Sequence, residues 1–260
     1  MPILFSTNVF TKAAHWERLQ EFVTGDTGVE VIPLWQDAEF EPMLSRCADF
    51  LKARTVSFHS PYYHTEPSLS PKDPAYLQMM QAQEKTMRWA QALGAEGIVF
   101  HHNNCRIEDE SALLTQAHAN YLTIRDRSLA FGVEQWVENA GVMQRNNMLL
   151  DEAAFIDYCE THDAPCLIDV GHVNSNGWDI QNIMHALKDR IRAFHLHNNN
   201  GKEDAHERIA DGSFDMQAFC RLYRALTPDA HLILEYSPAI GLTPEALQED
   251  IHWIRERCHD

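Results

Sequence analysis

The chain alternates eight times between a short apolar run and a longer amphipathic stretch, and that alternation limits what it can fold into. The runs span residues 3–9, 28–35, 55–60, 97–102, 132–139, 165–171, 191–197 and 231–236. Each is rich in β-branched or aromatic residues and is followed by polar ones, the pattern of a buried strand. Between the runs, apolar residues recur at spacings of three and four, as on one face of a helix. Asp73-Pro74 offers a cap and a first-turn proline, with Leu77, Met80, Met87, Ala90 and Leu93 behind it and Gly94 as the stop. Residues 108–130 carry Leu114, Ala117, Tyr121 and Ile124. Asp151 opens a helix with Ala154, Phe155 and Tyr158, and residues 178–189 carry Ile180, Ile183, Met184 and Leu187. Asp215 and Thr243-Pro244 open two more, while residues 13–24 and 40–53 are less regular helices.

Eight strand-then-helix units in 260 residues match the count and size of a (β/α)8 barrel of the α/β class, one domain over residues 1–260. The alternative is a doubly wound open sheet, but no glycine-rich phosphate turn follows an early strand. No apolar run approaches the ~20 residues of a membrane span. Met1-Pro2-Ile3-Leu4-Phe5-Ser6 lacks the basic region of a signal peptide. Six scattered cysteines without a CxxC pair read as reduced thiols in a cytoplasmic protein, and only Cys105 lies near a histidine cluster. Lys and Arg number 21 against 38 Asp and Glu, a net charge of −17. Such a surface repels phosphate backbones and suits cation binding. The expected partner is a small molecule, with nucleic acid and membrane disfavoured and homo-oligomer formation open.

The polar residues gather where the runs end: His59, His101-His102, Glu138-Asn139, Asp169 through His172, His195-Leu196-His197 and Glu235-Tyr236. In a barrel those ends share one mouth. Several carboxylates in one small cavity are costly unless a cation neutralises them. The economical reading is a divalent metal on Glu138, Asp169, His195 and Glu235. Three carboxylates and one imidazole suit Mn2+, Mg2+ or Co2+. His195 and His197 point the same way on a strand; His195 is assigned to the metal and His197 further out, against substrate or a ligand. A second set, His59, His101, His172, Asp204 and His206, either holds further metals, binds substrate hydroxyls or orients the carboxylates. Trp178 and Arg208 are candidate substrate contacts, and Phe10, Trp35, Tyr62, Tyr63 and Tyr236 candidate pocket walls. Asn8 and Glu30 stand in the first two runs as hydrogen-bonding groups for substrate or ligands, or, for Glu30, as a buried structural group.

Val137-Glu138-Asn139, Asp169-Val170-Gly171-His172, His195-Leu196-His197-Asn198-Asn199, Asp204-Ala205-His206 and Glu235-Tyr236-Ser237-Pro238 carry a resemblance over nearly the whole chain. They resemble the xylose-isomerase-like barrels. That superfamily contains sugar (phosphate) isomerases and epimerases, and the endonuclease-IV-type apurinic/apyrimidinic nucleases. The resemblance implies a metal on Glu138, Asp169, His195 and Glu235. In isomerase and epimerase members the glutamates matching Glu138 and Glu235 also move the substrate proton, as catalytic base and acid, through an enediolate. In nuclease-like members, positions matching His59, His101, His172, Asp204 and His206 complete a three-zinc cluster. The alternative activity is therefore a multi-zinc phosphoesterase acting on a small phosphodiester or nucleic acid. A non-catalytic polyol-binding barrel is a third reading. One departure is that relatives often read Gly-x-Gly after the residue matching His206, where this chain reads Ala210-Asp211-Gly212.

Overall fold

A computed structural model describes residues 2–258 of the chain; Met1, part of the N-terminal stretch read above, lies outside them, as do His259 and Asp260. Eight parallel strands close into a barrel in sequence order. They are β1 Ile3–Ser6, β2 Gly28–Val31, β3 Val56–His59, β4 Gly97–Phe100, β5 Glu134–Glu138, β6 Cys166–Asp169, β7 Ile191–Leu196 and β8 His231–Leu234. Every strand falls inside its expected run and is shorter than it, because the last residues of each run turn into the mouth loops.

Around the barrel stand α1 Leu19–Phe22, α2 Phe40–Arg46, α3 Ala48–Lys52, α4 Tyr76–Leu93, α5 Glu110–Ala130, α6 Glu152–Thr161, α7 Val170–Asn176, α8 Ile180–Leu187, α9 Met216–Leu226 and α10 Pro244–Cys258. Four aspartates set helix starts by accepting first-turn backbone N–H groups: Asp109, Asp151, Asp179 and Asp215. Gly94 ends α4 in the left-handed conformation, with φ 67°.

Three local expectations are corrected. Helix α4 starts at Tyr76 rather than beside Asp73, because the Asp73 carboxylate accepts from the Ala75 N–H at 2.8 Å and holds a turn there. Leu77 is 71% exposed, so it is not on the packed face. Residues 170–176 leave the sheet as α7, since Asp169 Oδ1 accepts from the His172 N–H at 2.7 Å and caps a helix.

The barrel interior explains the mouth. Leu4, Val99, Trp136, Leu167, Ala193 and Ile233 form one buried apolar cluster. Two residues further along the same strands or just past their ends come Ser6, His101, Glu138, Asp169, His195 and Glu235. Side chains alternate faces, so residues two apart point to the same axis. The apolar set is a floor and the polar set stands one layer above it. The opposite faces, among them Phe5, Val29, Phe58, Phe100, Ile168, Phe194 and Leu234, pack under the helices. Among the described residues, no helix is long and apolar enough to cross a membrane.

Trp136 fills the floor only because β4 has Gly97 beside it: a Cβ at Gly97 would overlap the indole. Substituting Gly97→Ala is therefore expected to destabilise the protein by about 1–3 kcal/mol, the usual cost of overpacking. Urea denaturation reads this as a lower midpoint at constant slope, and an unchanged midpoint would show that the Trp136 seat has slack.

Candidate metal centre

His195 is fully buried on β7, and its two ring nitrogens have different surroundings. Nε2 lies 3.0 and 3.2 Å from the two Glu30 carboxylate oxygens, so Glu30 accepts its proton. Nδ1 has no hydrogen-bond partner. It faces Glu235 Oε2 at 3.4 Å, Glu138 Oε2 at 3.7 Å and Asp169 Oδ2 at 3.7 Å. A buried nitrogen with no hydrogen-bond partner, facing three carboxylates from other parts of the mouth, fits a divalent cation once its proton is displaced, and Glu30 on the far nitrogen fixes the ring orientation that fit requires.

The same arrangement recurs around it. His59 Nδ1 donates to Ser60 O at 2.8 Å, which turns Nε2 toward Glu138 at 3.6 Å. His101 Nδ1 is held by Asn104 Oδ1 at 3.0 Å, and its Nε2 reaches Glu138 Oε2 at 2.8 Å. His206 Nδ1 donates to Glu235 O at 3.1 Å and presents Nε2 to Asp204 at 3.1 Å. His172 links the groups, with Nδ1 3.3 Å from Glu138 and Nε2 3.5 Å from Asp204. Three triads offer ligand atoms within 4.8 Å of one another: His59–His101–Glu138, Glu138–Asp169–His195 and His172–Asp204–His206. Glu235 forms such triads with Glu30 and His195 and with His197 and His206. His206 has a left-handed backbone, φ 48°, a cost accepted where a side chain must be aimed.

Charge is met by charge. Burial alone would raise the Glu138 carboxyl, but His101, His172 and His195 hold it well below the usual range. Asp169 is lowered against burial by His172, His197 and His195, and Asp204 by His206 and His172. Burial works against the imidazolium forms too. The carboxylates win, with His172 and His195 raised well above an ordinary histidine and His206 pushed up to about 9, chiefly by Asp204 and Glu235.

Residues 23–257 match the family described as xylose isomerase-like TIM barrel. The chain belongs to that family. No curated protein matches it. Among solved structures similar to this xylose isomerase-like barrel is a D-tagatose 3-epimerase-like protein, 16% identical over 98% of this chain and 99% of that one, with TM-score 0.78. Another is the IOLI protein with a bound zinc atom, 14% identical over 99% and 98%, TM-score 0.76. A third is YcjR of E. coli, a 3-keto-D-glucoside 4-epimerase, 15% identical over 98% and 99%, TM-score 0.68. At these identities the likeness is one of fold.

In this family member the mouth is a hollow of about 230 Å³ whose lining includes His59, His101, Glu138, His172, Asp204, His206 and Glu235. Asn8, Tyr62 and Tyr63 line it too. Three expected contacts lie elsewhere. Arg208 is bound by Asp250 at 2.9 Å and by Ala246 O at 2.9 Å, so α10 takes its charge. Trp178 packs toward Phe155, ring centroids 6.2 Å apart, because left-handed Gly177 turns the chain back over the core. His197 is fully buried outside the hollow's lining, binds Asp169 Oδ2 at 2.9 Å and stacks on His206 at 3.8 Å, which is the ligand-side placement of the two expected for it. Gly171 makes its room, since a Cβ there would overlap the imidazole. Phe10 and Tyr236 are core residues, the latter donating to Asp250 at 2.9 Å. Beyond His206 the loop is held by paired bonds between Asn198 and Glu207, and Gly212 abuts the Asn198 carboxamide.

Arg145 was missed. It is the one Lys or Arg among the described residues lining the hollow, and it binds Asp204 Oδ2 at 3.0 Å and Asp204 O at 3.1 Å. Its only sequence signal is its place in the loop after the fifth run.

Two outcomes are expected. Folded His206 keeps its proton to about pH 9, whereas an ordinary histidine releases it near 6.5. Its ion pair therefore stabilises the metal-free protein fully below about 6.5, and that contribution is lost as pH rises through about 9. Metal needs the same nitrogen unprotonated, so affinity runs the other way. Titration with Mn2+ or Zn2+ should show affinity rising by about tenfold or more from pH 6.5 to 9, with protons released into a weak buffer; flat affinity removes His206 from the ligand set. Glu30→Gln should weaken binding by about 10–100-fold, the usual effect of losing a ligand's outer partner, and should also lower the melting temperature of the metal-free protein, since buried His195 loses its counter-charge.

Proposed function

We propose that this chain is a divalent-metal-dependent enzyme that isomerises or epimerises a small sugar-like substrate by moving a proton beside a carbonyl. The observation that carries the reading is the partnerless His195 Nδ1 nitrogen facing Glu138, Asp169 and Glu235. Support also comes from the fold neighbours, which include a D-tagatose 3-epimerase-like protein and a 3-keto-D-glucoside 4-epimerase. The net charge of −17 favours a small molecule over nucleic acid.

Three carboxylates and one imidazole suit Mn2+, Mg2+ or Co2+. Bound there, the ion would neutralise the buried carboxylates and polarise adjacent substrate oxygens. The chain's own residues do the rest. Glu138 and Glu235 line the hollow from β5 and from the end of β8. Glu138, held charged by the imidazoles around it, takes the proton from the carbon next to the carbonyl, leaving an enediolate. In an isomerisation Glu138 hands that proton to the neighbouring carbon; in an epimerisation Glu235 delivers a proton taken up from solvent to the other face, and Glu138 releases its own to solvent. Asn8, Tyr62 and Arg145 line the same hollow; Arg145 is held on Asp204 and Asn8 between Tyr63 and Tyr236 O, while Tyr62 can meet substrate oxygens.

A second reading, hydrolysis of a small phosphodiester by a multi-zinc centre, is favoured by one observation. The donor array does not stop at four residues, and His59–His101–Glu138 and His172–Asp204–His206 are each grouped as a metal triad.

The two readings separate in one set of measurements. Turnover of ketoses, aldoses and their phosphates in D2O should place deuterium on the carbon beside the carbonyl, and Glu235→Gln should lower the rate by about 10²–10⁴-fold. Metal analysis should find Mn, Mg or Co bound once per chain. Three zincs per chain, cleavage of bis(p-nitrophenyl) phosphate and no deuterium exchange would instead establish the hydrolase.

A further inference from the structure

A second hollow adjoins the first. It measures about 260 Å³ and is walled by Leu34, Trp35 and Tyr63, with Thr11, Gln36, Asp37 and His64 around it. Tyr63 lines both hollows, so one side chain forms the partition.

The aromatic walls are fixed by hydrogen bonds. Trp35 Nε1 donates to Tyr63 O at 2.7 Å, tying the loop after β2 to the loop after β3. The Tyr63 hydroxyl donates to Asn8 Oδ1 at 3.4 Å, and Asn8 lines the first hollow. His64 is left-handed, with φ 59°. Next to it, Thr65 Oγ1 donates to Pro61 O, and Asn104 Nδ2 donates to Thr65 O at 2.9 Å. The same Asn104 holds His101. The loop therefore presents Tyr62 and Tyr63, each 37% exposed, from a backbone conformation that costs free energy. With its N–H spent on Tyr63 O, Trp35 has no donor left for the hollow and contributes an apolar ring to its wall. Asp37 stays charged at the edge of the hollow, where its two oxygens are already engaged by Ala13 N and Glu39 N. Such a wall suits the apolar face of another ring.

We infer that this hollow is a second subsite, for a ring in glycosidic linkage to the sugar-like group held in the first. The substrate class is then a glycoside, with either a second pyranose or an aryl group on Trp35 and Tyr63, and not a free monosaccharide. This rests on the reading of the first hollow as a sugar site.

The test is calorimetric binding of D-glucose, cellobiose and phenyl β-D-glucopyranoside to the Mn2+-loaded protein and to its Trp35→Ala and Trp35→Phe variants. At least one two-ring probe should bind about tenfold tighter than glucose, the scale of one aromatic contact. Trp35→Ala should abolish that gain, Trp35→Phe should keep most of it, and glucose should be indifferent to both. Which probe gains tells the pyranose from the aryl group. Equal affinities in the unmodified protein, equal losses for all three in Trp35→Ala, or no binding of any probe overturn the inference. Trp35-dependent binding of a two-ring probe that persists unchanged after chelation, with glucose unbound, keeps the subsite and overturns the reading of the first hollow.

Discussion

Five carboxylates, those of Glu30, Glu138, Asp169, Asp204 and Glu235, are gathered at one end of the barrel with their side chains almost wholly out of water. Charges of one sign in so small and dry a space repel one another and each lacks its hydration. The rest of the mouth is built to meet that cost. Six imidazoles stand among them, and four of these have one nitrogen assigned to a fixed acceptor, so that the other must face a carboxylate. His172, His195 and His206, raised above an ordinary histidine by these carboxylates, hold protons that a bound cation would have to displace. The apolar floor beneath makes the arrangement rigid, because Leu4, Val99, Trp136, Leu167, Ala193 and Ile233 leave the strands no freedom to slide.

Much of this was legible in the sequence because a parallel strand has a period of two and a parallel barrel has one mouth. Those facts bring Glu138, Asp169, His195 and Glu235 together from residues almost a hundred positions apart. The same alternation distinguishes His195 from Leu196. It does not distinguish His195 from His197, which point the same way, and what separates them is depth: one residue pair further along β7, His197 is beside Asp169 and has left the axis.

What was not legible lies in loops and in partners across the barrel. Arg208 and Trp178 look like mouth residues by position, but a helix carboxylate claims the first and a left-handed glycine folds the second onto the core. Arg145 reaches Asp204 from 59 residues away, a distance no local pattern encodes. Glu30 was readable as a hydrogen-bonding group for a ligand or as a structural acid. Its partner is His195, and no sequence spacing could have paired residues 165 positions apart.

That last contact ties the site to closure of the whole barrel. Strands β2 and β7 are not neighbours: β8 and β1 stand between them, and β1 pairs with β8 where the chain's two ends meet. The Glu30–His195 bond therefore spans the seam of the barrel. Glu30 is in place to fix the His195 ring only when that seam is closed. The orientation of the candidate ligand nitrogen is therefore a property of the closed barrel and not of any local segment of the chain.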